Sequence, residues 1–257
     1  MPKIDKINIL NKFNSISYTF TTKSGGVSRE NYSNLNLAFH VGDKIADINE
    51  NHNILAKLLQ YDKRMLVHMK QIHSNIVHIV TDNDNFDNPP TCDALITNKK
   101  NTPLMVMVAD CSPILFYDDV QKVIAVAHAG RQGAFSNIIK NVIDSFVTDF
   151  HSAQKNIYVS IGASICCNCY EVGEEINKQA KKLSLEYAME VKDDKYYLNI
   201  RKILKQQLLT NGVKEENIEI SDECSSCLSN KYFSYRANGV TGRFAGVIFL
   251  QDEKSLD

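Results

Sequence analysis

Three short segments each set a metal-ligating side chain at the edge of a β-rich run. Gln71-Ile-His73 leads into residues 75–80, Asp110-Cys111-Ser-Pro113 follows residues 104–109, and His128-Ala-Gly130 follows residues 123–127. Side chains at strand ends converge on one cleft from remote positions in the chain. Two imidazoles and one thiolate give three protein ligands and leave the fourth tetrahedral position of zinc open, the pattern of a catalytic site. The spacing alone is unspecific, because a cysteine after an apolar strand is ordinarily a small buried hydrophobe and a lone histidine is ordinarily just hydrogen-bonded.

Other residues around these segments bear on the same cleft. Gly130, Arg131 and Gly133 read as a strand-to-helix turn, and a helix from Ala134 would aim its free N–H groups at an anion. The turn is neither a Walker nor a dinucleotide motif, and glycine is common in any tight turn. Near the C-terminus, Arg236 and Arg243 are candidates to hold a phosphate or carboxylate through paired hydrogen bonds. Two further pairs, Cys166-x-x-Cys169 and Cys224-x-x-Cys227, are able in principle to supply a four-thiolate structural zinc site or a redox couple. They lie much further apart than in compact zinc ribbons, and neither follows a strand and opens a helix as a thioredoxin-like motif does.

The elements that must position these residues alternate along the whole chain. Strands are expected at 16–22, 64–69, 75–80, 93–97, 104–109, 113–117, 123–127, 157–162, 187–191, 218–221 and Phe244–Leu250. Helices are expected at 48–60, 134–150, 171–183 and 200–211, the last capped by Asn199 and stopped by Gly212. In the second helix Ile138, Ile139, Val142, Ile143 and Phe146 recur at helical spacing and form a face for a sheet. Interleaved strands and helices without a linker or repeat point to one mixed α/β (α+β) domain over residues 1–257, its mixed sheets flanked by helices.

Composition narrows the partners. A formal net charge of -1 without basic runs offers no footprint for nucleic acid or an anionic membrane. Hydrophobic residues at 44% and charged residues at 23% imply a packed core rather than a disordered chain. The polar N-terminus does not read as a secretory signal, and no apolar run is long enough to cross a bilayer, so a cytoplasmic location is expected. Seven cysteines, an odd number, then read as thiols, ligands or nucleophiles rather than a disulfide framework.

Taken in order, several segments resemble one family, the laccase-domain or multicopper polyphenol oxidase family, also known as the YfiH type of purine nucleoside phosphorylase. The resemblance rests on Thr21-Thr-Lys-Ser-Gly-Gly-Val27, Asn36-Leu37, His40-Val-Gly-Asp43, Gln71-Ile-His73, Cys92-Asp-Ala94, Ala109-Asp-Cys-Ser-Pro113 and Ala127-His-Ala-Gly130. It continues through Ile161-Gly162, Cys169-Tyr-Glu-Val172, Cys224, Ser234-Tyr-Arg236 and Thr241-Gly-Arg243. It implies a YfiH-like fold and makes His73, Cys111 and His128 the zinc ligands and catalytic centre, with copper as the alternative metal. Lys23, Arg236 and Arg243 join them as substrate-binding candidates. The implied reactions are phosphorolysis of adenosine, inosine and methylthioadenosine, and hydrolytic deamination of adenosine, so that purine nucleosides and phosphate are the partners.

The chain also departs from the family pattern. Arg131 stands where a tryptophan is usual, Lys23 where an arginine is usual, Ala163-Ser164 replace a Pro-small pair, and Cys166-Cys167-Asn168 differ from the common sequence. None of these changes removes a proposed ligand. Cys166 falls where relatives do not carry cysteine, which weighs against the four-thiolate reading. Three other functions remain: copper-dependent polyphenol oxidation, a metal-free amidase-like Cys111–His128 hydrolase that edits peptidoglycan precursors, as the resemblance implies for some relatives, and a non-catalytic zinc-binding protein built on the CxxC pairs. Multicopper oxidases need many imidazoles, typically in His-x-His pairs, and this chain has seven histidines with no such pair.

Overall fold

A computed structural model describes residues 4–5 and 9–251. The strands are β1 (Ile4–Asp5), β2 (Ile16–Thr21), β3 (Val77–Ile79), β4 (Ala94–Thr97), β5 (Leu104–Val108), β6 (Ser112–Asp118) and β7 (Val123–Ala129). They continue with β8 (Ile157–Ile161), β9 (Glu171–Val172), β10 (Met189–Lys192), β11 (Lys195–Leu198), β12 (Ile218–Ile220) and β13 (Phe244–Leu250). The α-helices are α1 (Ile45–Leu59), α2 (Arg131–Phe135), α3 (Ile138–Phe150), α4 (Glu174–Lys182), α5 (Ile200–Thr210) and α6 (Tyr235–Asn238). The mixed α/β expectation holds. A four-stranded sheet runs β1-β2-β13-β5, a six-stranded sheet runs β12-β8-β6-β7-β4-β3, and β10-β11-β9 form a small third sheet.

Period-two alternation in the central strands generates the layers. In β6, Leu115 and Tyr117 join Ile124 and Val126 of β7 and Leu104, Val106 and Val108 of β5 in a core between the two large sheets. Ile114 and Phe116 of β6, with Ala125 and Ala127 of β7, point the other way, onto α3 and α5. On the far side of the four-stranded sheet, Met105, Met107, Val247 and Phe249 pack against Leu55 of α1 and against Leu35, Leu37 and Leu66. Central strands buried on both faces read as unbroken apolar runs, which is why β5 and β13 look alike in sequence.

Several expected elements shift, each for a local reason. The helix expected over 134–150 is two helices: Asn137 takes a left-handed φ of 57°, and its side chain accepts from the Lys140 amide, capping α3. The five apolar residues named for it are all buried in α3. The strand expected at 64–69 is instead a 3-10 turn, Lys63–Met65, closed by the Asp62 carboxylate on the Arg64 amide, followed by an isolated bridge from Val67 to Leu104. The helix expected from 171 starts at Glu174, because residues 171–172 are claimed as a strand by β11. The hairpin joining β10 to β11 turns on Asp193 and Asp194, both left-handed at φ 48° and 58°.

Candidate functional site

Strand register sets the centre of the cleft. Ala94 of β4 pairs with Ala127 of β7, and Pro113 of β6 pairs with His128, so Asp93, His128 and the turn before β6 meet at one sheet end. His128 shares the alternation of Ile124 and Val126 and therefore points into the layer between the sheets. Its backbone amide bonds to the Asp93 carbonyl at 2.8 Å, and its Nδ1 meets Asp93 Oδ1, also at 2.8 Å. With Nδ1 occupied, Nε2 is the atom left for the cleft.

Asp93 organises the other histidine as well. This fully buried carboxylate accepts from the amides of Ile72 (3.2 Å), His73 (3.0 Å) and Ser74 (2.7 Å), and from the Ser74 hydroxyl (2.7 Å). The wrap holds His73 in the left-handed region at φ 59°. Its ring stands edge-on to that of His128, with centroids 4.7 Å apart, and its Nε2 lies 4.0 Å from the Cys111 sulfur. One donor atom from each of His73, Cys111 and His128 lies within 4.8 Å of the other two. Cys111 reaches this position from Asp110, left-handed at φ 89°, whose carboxylate accepts from the Ser225 and Ser234 hydroxyls and the Arg236 amide. Gly130 closes the back: a Cβ there would sit 2.8 Å from the Cys111 sulfur and 3.2 Å from the His73 ring.

The electrostatics within the trio favour a charged form. Burial pushes the Cys111 thiol up, but the His128 imidazolium and hydrogen bonds from both histidines outweigh it and bring the thiol down to about 6. Burial likewise disfavours charged His128, yet the Cys111 thiolate and the bond to Asp93 raise it to about 9. Against its own burial, Asp93 is held down at about 2 by the His128 bond and then by Ser74. The donor set suits a borderline metal such as zinc, and the carboxylate behind His128 is the partner that commonly orients a ligating imidazole.

The trio lines a cleft of about 350 Å³ together with Gln71, Arg131, Tyr170, Arg236 and Arg243. His40 is also in the wall; burial first, then Arg243, lowers its pKa. Arg236 bridges the Cys169 and Glu171 carbonyls at 3.1 Å each and lies over the Tyr170 ring. Arg243 fixes its Nη1 on the Thr241 and Gly242 carbonyls at 2.9 Å each. Lys23 is not part of this wall; its ammonium is bonded to the Ser229 carbonyl. The anion-binding helix expected from Ala134 is also corrected: α2 starts at Arg131 and runs only five residues. Asp93 escaped the sequence reading as a functional residue, although Cys92-Asp-Ala94 was among the recognised segments. The expectation against the CxxC pairs meets a contrary geometry, since the sulfurs of Cys166, Cys169, Cys224 and Cys227 also lie within 4.8 Å of one another.

A family model described as multi-copper polyphenol oxidoreductase laccase matches residues 17–251. The chain belongs to this family. Among laccase-family relatives, the purine nucleoside phosphorylase YlmD of Bacillus subtilis is 31% identical, the match covering 91% of this chain and 88% of that one. A purine nucleoside phosphorylase of Corynebacterium glutamicum is 36% identical over 91% of this chain and 94% of its own length. Adenosine deaminase RL5, from an unknown prokaryotic organism, is 28% identical over 96% and 99%. The crystal structure of the Bacillus licheniformis hypothetical protein YfiH superposes with a TM-score of 0.91 at 30% identity, covering 98% of this chain and 97% of that one. With enzymes matched over nearly its full length, this laccase-family chain is an enzyme.

Proposed function

We propose that the cleft binds a purine nucleoside and phosphate and catalyses phosphorolysis of adenosine, inosine and methylthioadenosine, with deamination of adenosine as a second activity, at a zinc ion held by His73, Cys111 and His128. The convergence of these three donors on the cleft, with Asp93 orienting His128, carries the reading. The names of the relatives supply the substrate class. Zinc fits better than a multicopper set, because among the described residues no second histidine cluster joins the trio. His52 and His68 are packed with Phe39 and Phe86, and His78 is bonded to Asp84.

In phosphorolysis a phosphate oxygen bonds to ribose C1′ as the bond to the purine nitrogen breaks, its electron pair leaving with the base. The chain's part is to hold the anion beside C1′ and exclude bulk water. Arg243 retains Nε and Nη2 for that anion, and Arg236 is fixed at the rim by its two carbonyl contacts. Tyr170 and Tyr235 add aromatic surface for a purine. Asp93 keeps His128 Nε2 turned to the cleft. Zinc, when bound, supplies a Lewis acid and activates water near neutral pH, which is what deamination needs.

Incubating the protein with inosine and phosphate, with and without a chelator, beside Cys111→Ala, tests the assignment. Hypoxanthine should form with wild type alone and stop on chelation. Equal turnover by Cys111→Ala would sink it. A second reading is favoured by the Cys111–His128–Asp93 series, which has the order of a nucleophile, a base and a group that orients the base. That reading requires hydrolysis of an amide substrate that persists in chelator.

A further inference from the structure

We infer that Cys166, Cys169, Cys224 and Cys227 form a second metal site, a tetrathiolate zinc centre that clips the loop carrying Tyr170 in the cleft wall to the loop that braces Asp110 behind it. The four sulfurs come from two distant CxxC turns and lie within 4.8 Å of one another. A zinc tetrahedron with Zn–S of about 2.3 Å needs sulfurs about 3.8 Å apart, so only small side-chain adjustments separate this cluster from coordination. The Cys169 and Cys227 sulfurs are 3.3 Å apart, longer than a disulfide bond of about 2.05 Å.

The surrounding backbone is built for negative sulfur. The Cys224 sulfur accepts from the amides of Cys166 (3.2 Å) and Cys227 (3.4 Å), the kind of contact that stabilises a thiolate. A parallel bridge between Ser164 and Cys224 fixes the two turns relative to each other. Behind it, the half-buried Arg201 guanidinium donates to the Ser164 hydroxyl at 2.9 Å and to the Ser164 and Glu223 carbonyls, all neutral acceptors. The charged and titratable groups acting on Arg201 include Cys224, Cys166, Asp222 and Cys227. Zinc with four thiolates carries two net negative charges, and a half-buried cation alongside is the complement such a centre needs.

The location gives the site its role. Cys169 is followed by Tyr170, and the Cys169 carbonyl anchors Arg236, so both cleft residues hang from the first turn. The second turn holds Ser225, whose hydroxyl bonds to Asp110 next to Cys111. A metal here is structural: four protein ligands leave no open position.

Zinc is counted by mass spectrometry in protein prepared under reducing conditions, for wild type, a His73→Ala/Cys111→Ala double variant and a Cys166→Ser/Cys224→Ser double variant. About two ions per chain are expected in wild type and about one in each variant. A folded His73→Ala/Cys111→Ala protein without zinc overturns the proposal, and this count decides even if the other variant does not fold. In that same triad variant, Cys166, Cys169, Cys224 and Cys227 should resist alkylation together until a chelator is added. A Cys169–Cys227 disulfide found in their place overturns the tetrathiolate. The inference is independent of the catalytic reading: a wild type with a single ion that survives loss of His73 and Cys111 would remove zinc from the cleft and leave this centre standing.

Discussion

At Asp93 one carboxylate accepts from three consecutive amides, a hydroxyl and an imidazole while wholly buried. Each of those donors needs an acceptor, so Asp93→Asn sets an amide nitrogen against at least one of them. An unmatched buried donor costs about 1–3 kcal/mol. The same change removes the charge that makes His128 a better ligand. Loss of such an outer partner typically costs about 10- to 100-fold in metal affinity. Competition against a chromogenic chelator should therefore show zinc leaving the trio of Asp93→Asn at 10- to 100-fold lower chelator activity. Unchanged affinity would mean that Asp93 only shapes the loop at 72–74. Its role was not legible in the sequence, because all five contacts reach across the chain and only the pairing of β4 with both β3 and β7 brings them together.

Among the elements, what could be read was local. The buried stripe of α3, its alternation into the six-stranded sheet and the bounds of β13 follow from spacing alone, since they depend on period and flanking residues. Sheet order did not follow, because β13 pairs with β2 and β5 and β12 runs parallel to β8 across long stretches of chain. The convergence of the CxxC turns was hidden for the same reason, as it rests on the bridge from Ser164 to Cys224. The two large sheets also lock together through a contact that no pattern reveals: Phe20 of β2 lies over Gly246 of β13 and against Gly162 after β8. A Cβ on either glycine would come within 2.8 Å of the Phe20 ring. Gly246→Ala should therefore destabilise by about 1–3 kcal/mol, the usual cost of overpacking. In a Phe20→Leu background the same substitution should cost less by at least about 0.5 kcal/mol in a double-mutant cycle read by urea unfolding. Strict additivity would show that the ring does not carry the clash.

At the scale of the whole molecule, α1 and the loops beside it cover the outer face of the four-stranded sheet, and this layer contains two buried imidazoles. His52 is wholly buried, with Nε2 bonded to the Leu37 carbonyl at 2.9 Å and its ring stacked on Phe39. Its buried Nδ1 has no hydrogen-bond partner among the described residues. Burial lowers its pKa to about 3, only partly opposed by the Leu37 bond, and burial also lowers that of His68. In the unfolded chain a histidine takes up its proton near pH 6.5. Below that value the unfolded state binds more protons than the folded one, so stability is fully present above about 6.5 and falls as pH drops toward about 3. Across that window His52 alone contributes a slope of about 1.4 kcal/mol per pH unit. Carboxylates titrate mainly below about pH 5, so from pH 6 to 5 the slope comes from the histidines and from Cys111, whose thiol lies at about 6, and comparison with a His52 variant separates the share of His52. Urea unfolding of wild type should weaken across that interval, and His52→Gln, which keeps a donor for Leu37, should flatten the slope by about 1.4 kcal/mol per unit. If the two proteins lose stability in parallel from pH 6 to 5, the acid sensitivity of the fold does not come from His52.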